Sequence, residues 1–240
     1  MIIGIIGSDL NEVSLLLSKT EIKKKITISD IPFFIGILEG IPVVICISKQ
    51  GTVNAGLASC LLIQKFKVSK IIFNGAGGSL VEDLNFKDVV ISSGCLFWNV
   101  NYTSIGIPIG QYPSLKISVY KANKKLIQLA KNVKNIDFNT HIGKILTSNI
   151  FLANTNLRDK LRIKLNGLCV ETEGAAVGQI AFLHHIPYVV YRGISDFSNE
   201  NSPEDIKKSG ALASQNAQKV TLGVLSQLHC QNKLNIADFN

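Results

Sequence analysis

The sequence predicts an α/β fold built on a largely parallel core sheet. Short apolar, β-branched runs alternate along the chain with stretches of helical period. Hydrophobic residues make up 46% of the 240 positions, enough to bury roughly three-quarters of the surface an unfolded chain of this size exposes. No internal repeat or low-complexity linker interrupts the alternation, so residues 1–240 are expected to form a single domain.

Ile2–Gly7 is apolar, has no basic leader region and is far shorter than the roughly 18 residues that begin to span a bilayer. It is expected to be the first strand, with neither a leader nor a membrane anchor. Asp9 and Glu12 follow in a D-x-x-E pattern that opens a helix over Leu10–Lys19. Capping alone accounts for both acids, and a chemical role for Glu12 is the alternative. The net charge of +8 is mostly lysine, densest at Lys23, Lys24 and Lys25. That cluster has no interleaved aromatics and no nucleic-acid-binding motif around it, so it reads as solvated surface, with no nucleic-acid partner.

Strands are predicted at Pro32–Leu38 and Val43–Ser48, and the SKQGTVNAG stretch then turns at Gly51 into a helix over Thr52–Phe66. The next strand, Lys70–Asn74, runs into NGAGGSL. A dinucleotide fingerprint would need a helix directly after those glycines. VEDLNFKDVVIS follows instead, a turn and a strand over Asp88–Ser92. Asn99–Lys116 is a long loop broken by Gly106, Pro108, Gly110 and Pro113, and long loops in compact domains are usually functional.

A helix over Tyr120–Val133, a strand over His141–Thr147, a helix over Asn156–Leu165 and a strand over Leu168–Val170 come next. Glu171 and Glu173 fall in the first turn of a helix predicted over Glu171–His184, where the dipole favours acids. Two residues apart, they should point in different directions, so at most one should enter a shared site. His184 and His185, adjacent at the helix end, have poor spacing for metal ligation. The last strand, Tyr188–Ser195, runs straight into Asp196, and a helix over Pro203–Leu228 ends the pattern. Asp196 there is a turn cap or a chemical group, since an uncompensated buried carboxylate is costly. The five scattered cysteines form no C-x-x-C pair, which suggests reduced thiols in a cytoplasmic protein and no zinc site.

In open α/β sheets ligands bind outside the carboxyl ends of the strands. The residues there are Gly7, Ser8, Asp9 and Glu12, then Gly51, then Gly75, Gly77 and Gly78, then Phe151, Glu171 to Glu173, and Asp196. Three of these strand ends carry acids in a chain with only 17 acidic residues.

IIGIIGSDLNEV, KQGTVNAG, FNGAGGSL, TSNIFL, VETEGAA and RGISDF occur in the order and approximate spacing of the nucleoside phosphorylase and nucleosidase superfamily. The chain most resembles its 5′-methylthioadenosine/S-adenosylhomocysteine nucleosidases, from residue 1 to about residue 228. Pairing E-x-E-G/A-x-A with a later R-x-I-S-D is the specific part of that likeness. The resemblance implies a single-domain three-layer α/β/α fold with a mixed, partly barrel-like central sheet, a homodimer, and no metal or organic cofactor. By the same likeness, Asp196 protonates N7 of adenine, Glu12 orients and deprotonates water, and Glu173 holds the ribose hydroxyls. Phe151 stacks on the base, main-chain groups beside Leu152 read the purine edge, and Arg192 lies near the water and ribose. Ala76, Gly77 and Ser195 are further binding residues it implies.

The chemistry matches the residue types. Breaking an N-glycosidic bond builds positive charge on the sugar and negative charge on the leaving purine. An acid must therefore meet the base while a carboxylate activates water at C1′, and the two need different pKa values. At the end of an apolar strand, Asp196 is expected to be the acid, since desolvation raises a carboxyl pKa. Glu12, near a helix start and open to water, is expected to be the base.

Several positions depart from the family pattern, among them Asn149 for a frequent aspartate and Trp98–Asn101 for a histidine and aspartate-rich stretch. Thr172 replaces a common methionine under the ribose, and Asp9 and Gln50 stand where apolar side chains often line the 5′ pocket. A nucleoside with a more polar 5′ group is therefore compatible with the pattern. A phosphorylase would need a basic constellation for phosphate, yet no arginine precedes Arg158. The same fold would also serve a futalosine hydrolase or a non-catalytic nucleoside-binding protein.

Overall fold

The structure is a computed structural model; it describes residues 1–237, with side chains through residue 231. In chain order the elements are β1 (Ile3–Gly7), α1 (Ser14–Lys19), β2 (Glu21–Ile28), β3 (Ile31–Leu38), β4 (Ile41–Ile47), α2 (Thr52–Phe66), β5 (Lys70–Ser79) and β6 (Val89–Phe97). There follow β7 (Tyr120–Lys121), α3 (Lys124–Lys131), β8 (Thr140–Thr147), α4 (Thr155–Leu165), β9 (Gly167–Glu171), α5 (Gly174–Leu183), β10 (Tyr188–Asp196) and α6 (Ser202–Ala237).

All described strands join one sheet in the order β10-β6-β8-β9-β5-β1-β4-β3-β2, with β7 beside β6. β10 also pairs with β5, which closes β5, β10, β6, β8 and β9 into a ring and leaves β1, β4, β3 and β2 as an open wing. Five of the ten pairings are parallel. The other five are antiparallel. The largely parallel core expected from the alternation is thus corrected to a mixed one. Within the ring, β6 runs against β10 and β9 against β5.

Successive residues of a strand face opposite sides, and here both sides are covered. Ile6, Phe73 and Val190 pack with Ala58 and Leu62 of α2 and Ala175 and Val177 of α5. Their neighbours Ile5, Ile72 and Val189 pack on the other side with Leu16 of α1, Leu126 of α3 and Val220 of α6. Burial on both faces explains why these strands read as continuous apolar runs.

Most predicted elements are present, and the differences have local causes. β2, which the sequence marks only as lysine-rich surface, is an edge strand, exposed along most of its length, with Ile26 and Ile28 at its end half-buried against the core. α1 starts at Ser14 instead of Leu10 because the chain first makes a turn, with Asp9 Oδ1 accepting the Asn11 N–H at 2.8 Å. Tyr120–Lys121 pairs with Gly94 and Cys95 instead of opening α3, whose start is fixed by the Asn123 side chain accepting the Leu126 N–H at 3.1 Å. The strand expected over Lys70–Asn74 is longer: β5 continues through the glycine-rich stretch to Ser79, paired with β10 and β9. Residues 99–116 do form a long connection, regular only in a single 3₁₀ turn at Thr103–Ile105. Among the described residues no helix is long and apolar enough to cross a membrane.

Candidate active site

At one end of the ring, the ends of β1, β5, β9 and β10 and the loops after β4 and β8 surround a cavity of about 300 Å³. That is at the lower end of the roughly 300–1,000 Å³ typical of small-molecule sites. The candidate residues Glu12, Asp196, Glu173, Thr172, Phe151, Leu152, Ala76, Gly77, Arg192, Ser195, Gln50 and Asp9 line it; Gly51 does not, though its N–H binds Glu173. Glu171, which the strand-end rule also singles out, lines it too, as do Ser198 and a face of α6 at Ile206, Gly210 and Ser214, which no sequence signal places in the site.

Arg192, in the middle of β10, organises the polar side. It is 1% exposed, and its Cζ lies 4.5 Å from the Phe73 ring centroid. One terminal nitrogen donates to Glu171 Oε2 and, at 2.8 Å, to Glu173 Oε2. The other reaches Glu12 Oε1 at 3.4 Å and the Ala76 carbonyl at 3.2 Å. Burial alone would lower the guanidinium pKa, but Glu171, Glu173 and Glu12 override it and hold Arg192 firmly protonated.

Glu171 and Glu173 therefore meet at a single cation, which corrects the expectation that at most one of them enters the site. Glu171 is not helical: it ends β9, and Glu173 stands at the N-cap of α5. The chain turns between them, so helical spacing does not apply. Glu171 Oε2 also accepts the N–H groups of Glu173 and Gly174 at 3.0 and 2.7 Å, while Thr147 donates to Oε1. Glu173 Oε1 takes the Gly51 N–H at 2.8 Å and the Thr172 hydroxyl.

Glu12 is not open to water, contrary to the expectation from its place near a helix start. It is 6% exposed, with Oε2 accepting the Ser8 N–H at 2.6 Å and Oε1 accepting that of Ala76 at 3.0 Å. Burial pushes its pKa up to about 7; Arg192 and the Ser8 bond restrain the rise, and Glu173 adds to it. Asp9, half-buried beside it, accepts the Glu12 N–H at 3.3 Å within the turn before α1, but Glu12 takes the N–H of Ser8 and not that of Asp9, and the N-cap of α1 is Val13. Neither acid caps α1, so the capping reading of the D-x-x-E pattern is corrected: both acids belong to a turn that lines the cavity.

Asp196 is 2% exposed at the bulged end of β10, where the register against β5 shifts between Ile194 and Asp196. Bulges of this kind re-aim side chains beside sites. Ser195 Oγ donates to Asp196 Oδ2 at 2.8 Å, and the Ser198 N–H donates to Oδ1 at 2.9 Å. The glycines of β5 make room for these acids. A side chain at Gly75 would collide with Arg192 and Glu12, and one at Gly78 would collide with Ser198 and come within 2.8 Å of Asp196 Oδ1. The two glycines are three residues apart, roughly 10 Å along an extended strand, so the two carboxyl groups are anchored at separate points of one cavity.

Phe151 is 52% exposed at the cavity mouth and Leu152 is buried beneath it. The lining acids are Asp9, Glu12, Glu171, Glu173 and Asp196, and Arg192 is the one lining cation among the described residues. These residues form no cluster suited to a metal ion.

The family model described as the phosphorylase superfamily matches residues 2–226. The chain is 30% identical over 230 residues to the 5′-methylthioadenosine/S-adenosylhomocysteine nucleosidase of Oceanobacillus iheyensis, covering 95% of this chain and all of that one. Among solved structures it is similar to the Colwellia psychrerythraea nucleosidase of the same name in complex with adenine, with a TM-score of 0.91, 31% identity, and coverage of 95% of this chain and 96% of that chain. It superposes nearly as well, at TM-score 0.89 and 24% identity, on the futalosine hydrolase of Helicobacter pylori, with coverage of 95% and 98%. With nearly its whole length matched, the chain belongs to the phosphorylase superfamily.

Proposed function

We propose that this cavity hydrolyses the N-glycosidic bond of adenine nucleosides, 5′-methylthioadenosine, S-adenosylhomocysteine or a close 5′-substituted analogue, releasing adenine and the 5-substituted ribose. The observation that carries this reading is the pair of buried carboxyl groups, Glu12 and Asp196, set apart along β5 with Glu173 and Arg192 between the elements that hold them. The curated relative and the adenine-bound neighbour described above support the substrate class.

Asp196 gives its proton to N7 of the departing base, so that adenine leaves neutral; Phe151 stacks on that base, and main-chain groups beside Leu152 hold its edge. Glu12 accepts a proton from the water that attacks C1′. It must be ionised to do so, and with a pKa near 7 it is a strong base that is still substantially ionised at neutral pH. Arg192 keeps Glu12 and Glu173 aligned, and Glu173 takes the ribose hydroxyls. Asp9, Gln50 and Thr172 contribute the polar lining left for the 5′ end.

Water is favoured over phosphate as nucleophile by the charges present. The cavity holds a single guanidinium, already shared among three glutamates. Arg158 is tied to Asp159 and Glu82, and Lys49 to Asp30. No free basic fork remains among the lining residues for a phosphate. The test is release of free adenine from 5′-methylthioadenosine and S-adenosylhomocysteine, with adenosine and inosine alongside, with and without phosphate. Phosphate-independent release is expected; strict dependence on phosphate would make the protein a phosphorylase.

The protein acts as a homodimer in this reading. Val53 and Leu57 on α2 and Phe182 and Leu183 on α5 expose apolar side chains on two helices that pack together. Sedimentation should give twice the 26.1 kDa chain mass.

A further inference from the structure

Ser198 follows Asp196 by two residues, is fully buried, and belongs to the cavity wall. Its hydroxyl has no hydrogen-bond partner. Ser195, equally buried, is engaged with Asp196 Oδ2 and lies 3.3 Å from the Gly77 carbonyl. A buried hydroxyl without a partner loses its bonds to water and gains nothing, so its persistence needs an explanation outside the folded chain.

The backbone gives a second, independent observation. Ser198 has φ 53°, in the left-handed region that side chains with a Cβ avoid. Its N–H on Asp196 Oδ1 at 2.9 Å and its carbonyl on the Asn154 N–H at 3.2 Å hold it there. Strain of this kind collects where a site must fix a group in place. The group fixed here is the hydroxyl: Ser198 Oγ and Asp196 Oδ1 both border the space left by the missing side chain of Gly78.

The leaving base supplies what that pair of oxygens lacks. Adenine carries N7, an acceptor, and its 6-amino group, a donor, side by side on one edge. An acid that protonates N7 faces that edge, and an oxygen beside the acid faces the 6-substituent. We propose that Ser198 Oγ hydrogen-bonds the 6-substituent of the purine while Asp196 protonates N7. This rests on the nucleosidase reading and extends it to a residue that reads the base. A hydroxyl accepts from an amino group and donates to an oxo group, so it discriminates against a purine with no 6-substituent.

The test compares wild type with Ser198→Ala and Ser198→Gly on 5′-methylthioadenosine and on its 6-desamino analogue, together with calorimetric binding of free adenine and free purine. Both variants should fold, and glycine removes the backbone strain. The expected result is a loss of about threefold to tenfold in kcat/KM and in adenine affinity, with less than about a twofold change for the desamino nucleoside and for purine. Equal losses on both substrates, or no loss on either, would overturn the role of Ser198 while leaving the nucleosidase standing. If wild type neither releases nor binds any of these bases, the nucleosidase reading falls and the inference falls with it.

Discussion

The cavity end of the ring and the outer edge of the wing belong to one sheet and treat charge in opposite ways. At the ring end, Glu12, Glu171, Glu173, Arg192 and Asp196 are all buried and bound to one another or to backbone N–H groups. At the wing edge, Lys23, Lys24 and Lys25 of β2 stand in water, where charged side chains keep an edge strand from pairing with other chains. The basic balance of the whole chain, +8, says nothing about a site in which five acids face one cation. What marks the functional end is charge held against its desolvation cost, which only a specific network or a reaction justifies.

The sharpest way to break this contrast is to remove the acid that has the least to do with the Arg192 network. Asp196→Asn should reduce adenine release by about 10²–10⁴-fold while calorimetry still detects nucleoside binding, because the amide retains the shape and can still accept from the Ser198 N–H. Full activity in this variant would reduce Asp196 to a turn cap and make the ring end as structural as the wing.

Glu12 gives a test with a defined pH axis. In the free enzyme the base must be ionised, so kcat/KM should fall about tenfold per pH unit as pH drops below about 7. Glu12→Gln should abolish that limb along with most of the rate. Stability should move the other way. A carboxyl whose folded pKa is raised from 4.5 to about 7 contributes fully below 4.5, and the contribution is lost as pH rises through 7. Urea midpoints of wild type should therefore decline between pH 5 and pH 8, and that decline should be smaller in the glutamine variant. A flat profile in wild type would mean that Glu12 is as solvated as the lysines of β2.

How far the sequence can be read follows the same division. Strands buried on both faces, such as β1, β5 and β10, announce themselves as apolar runs, and the acids that stop them point to the cavity. β2 gives little such signal, because only Ile26 and Ile28 at the end of this edge strand pack half-buried against the core, and the five residues before them are exposed. For Glu171 the helical spacing rule misleads, since it does not hold where β9 turns into α5. The burial of Glu12 is equally out of reach: Arg192 and Ala76, which close over it, lie 180 and 64 residues away. The face of α6 that completes the cavity follows no strand end, so the strand-end rule passes over it, as it does over Arg192 in the middle of β10.

Gly75 tests whether the ring end tolerates even one added carbon. A Cβ there would collide with the Arg192 terminal nitrogen and Glu12 Oε1, both buried and hydrogen-bonded elsewhere. Gly75→Ala should destabilise the fold by about 1–3 kcal/mol, the usual cost of overpacking, and should lower kcat, because the group it displaces is the base. Urea denaturation with steady-state kinetics on the same preparation separates the two effects. Loss of stability with unchanged kcat would place the strain on Arg192 alone.

The smallest effect is expected at the wing. Lys24 is exposed on β2, and its side chain takes part in no ion pair or cation–π contact found among the described residues, whereas Lys25 lies 5.1 Å from the Phe34 ring centroid. Lys24→Ala should change stability by no more than about 0.5 kcal/mol and leave adenine release untouched, since no element between β2 and the cavity depends on that charge. The result worth having is a failure of this expectation. A change in kcat/KM would mean that β2 communicates with β1 through β3 and β4, the strands that separate them in the sheet, and that the wing helps position Glu12 and does more than extend the sheet.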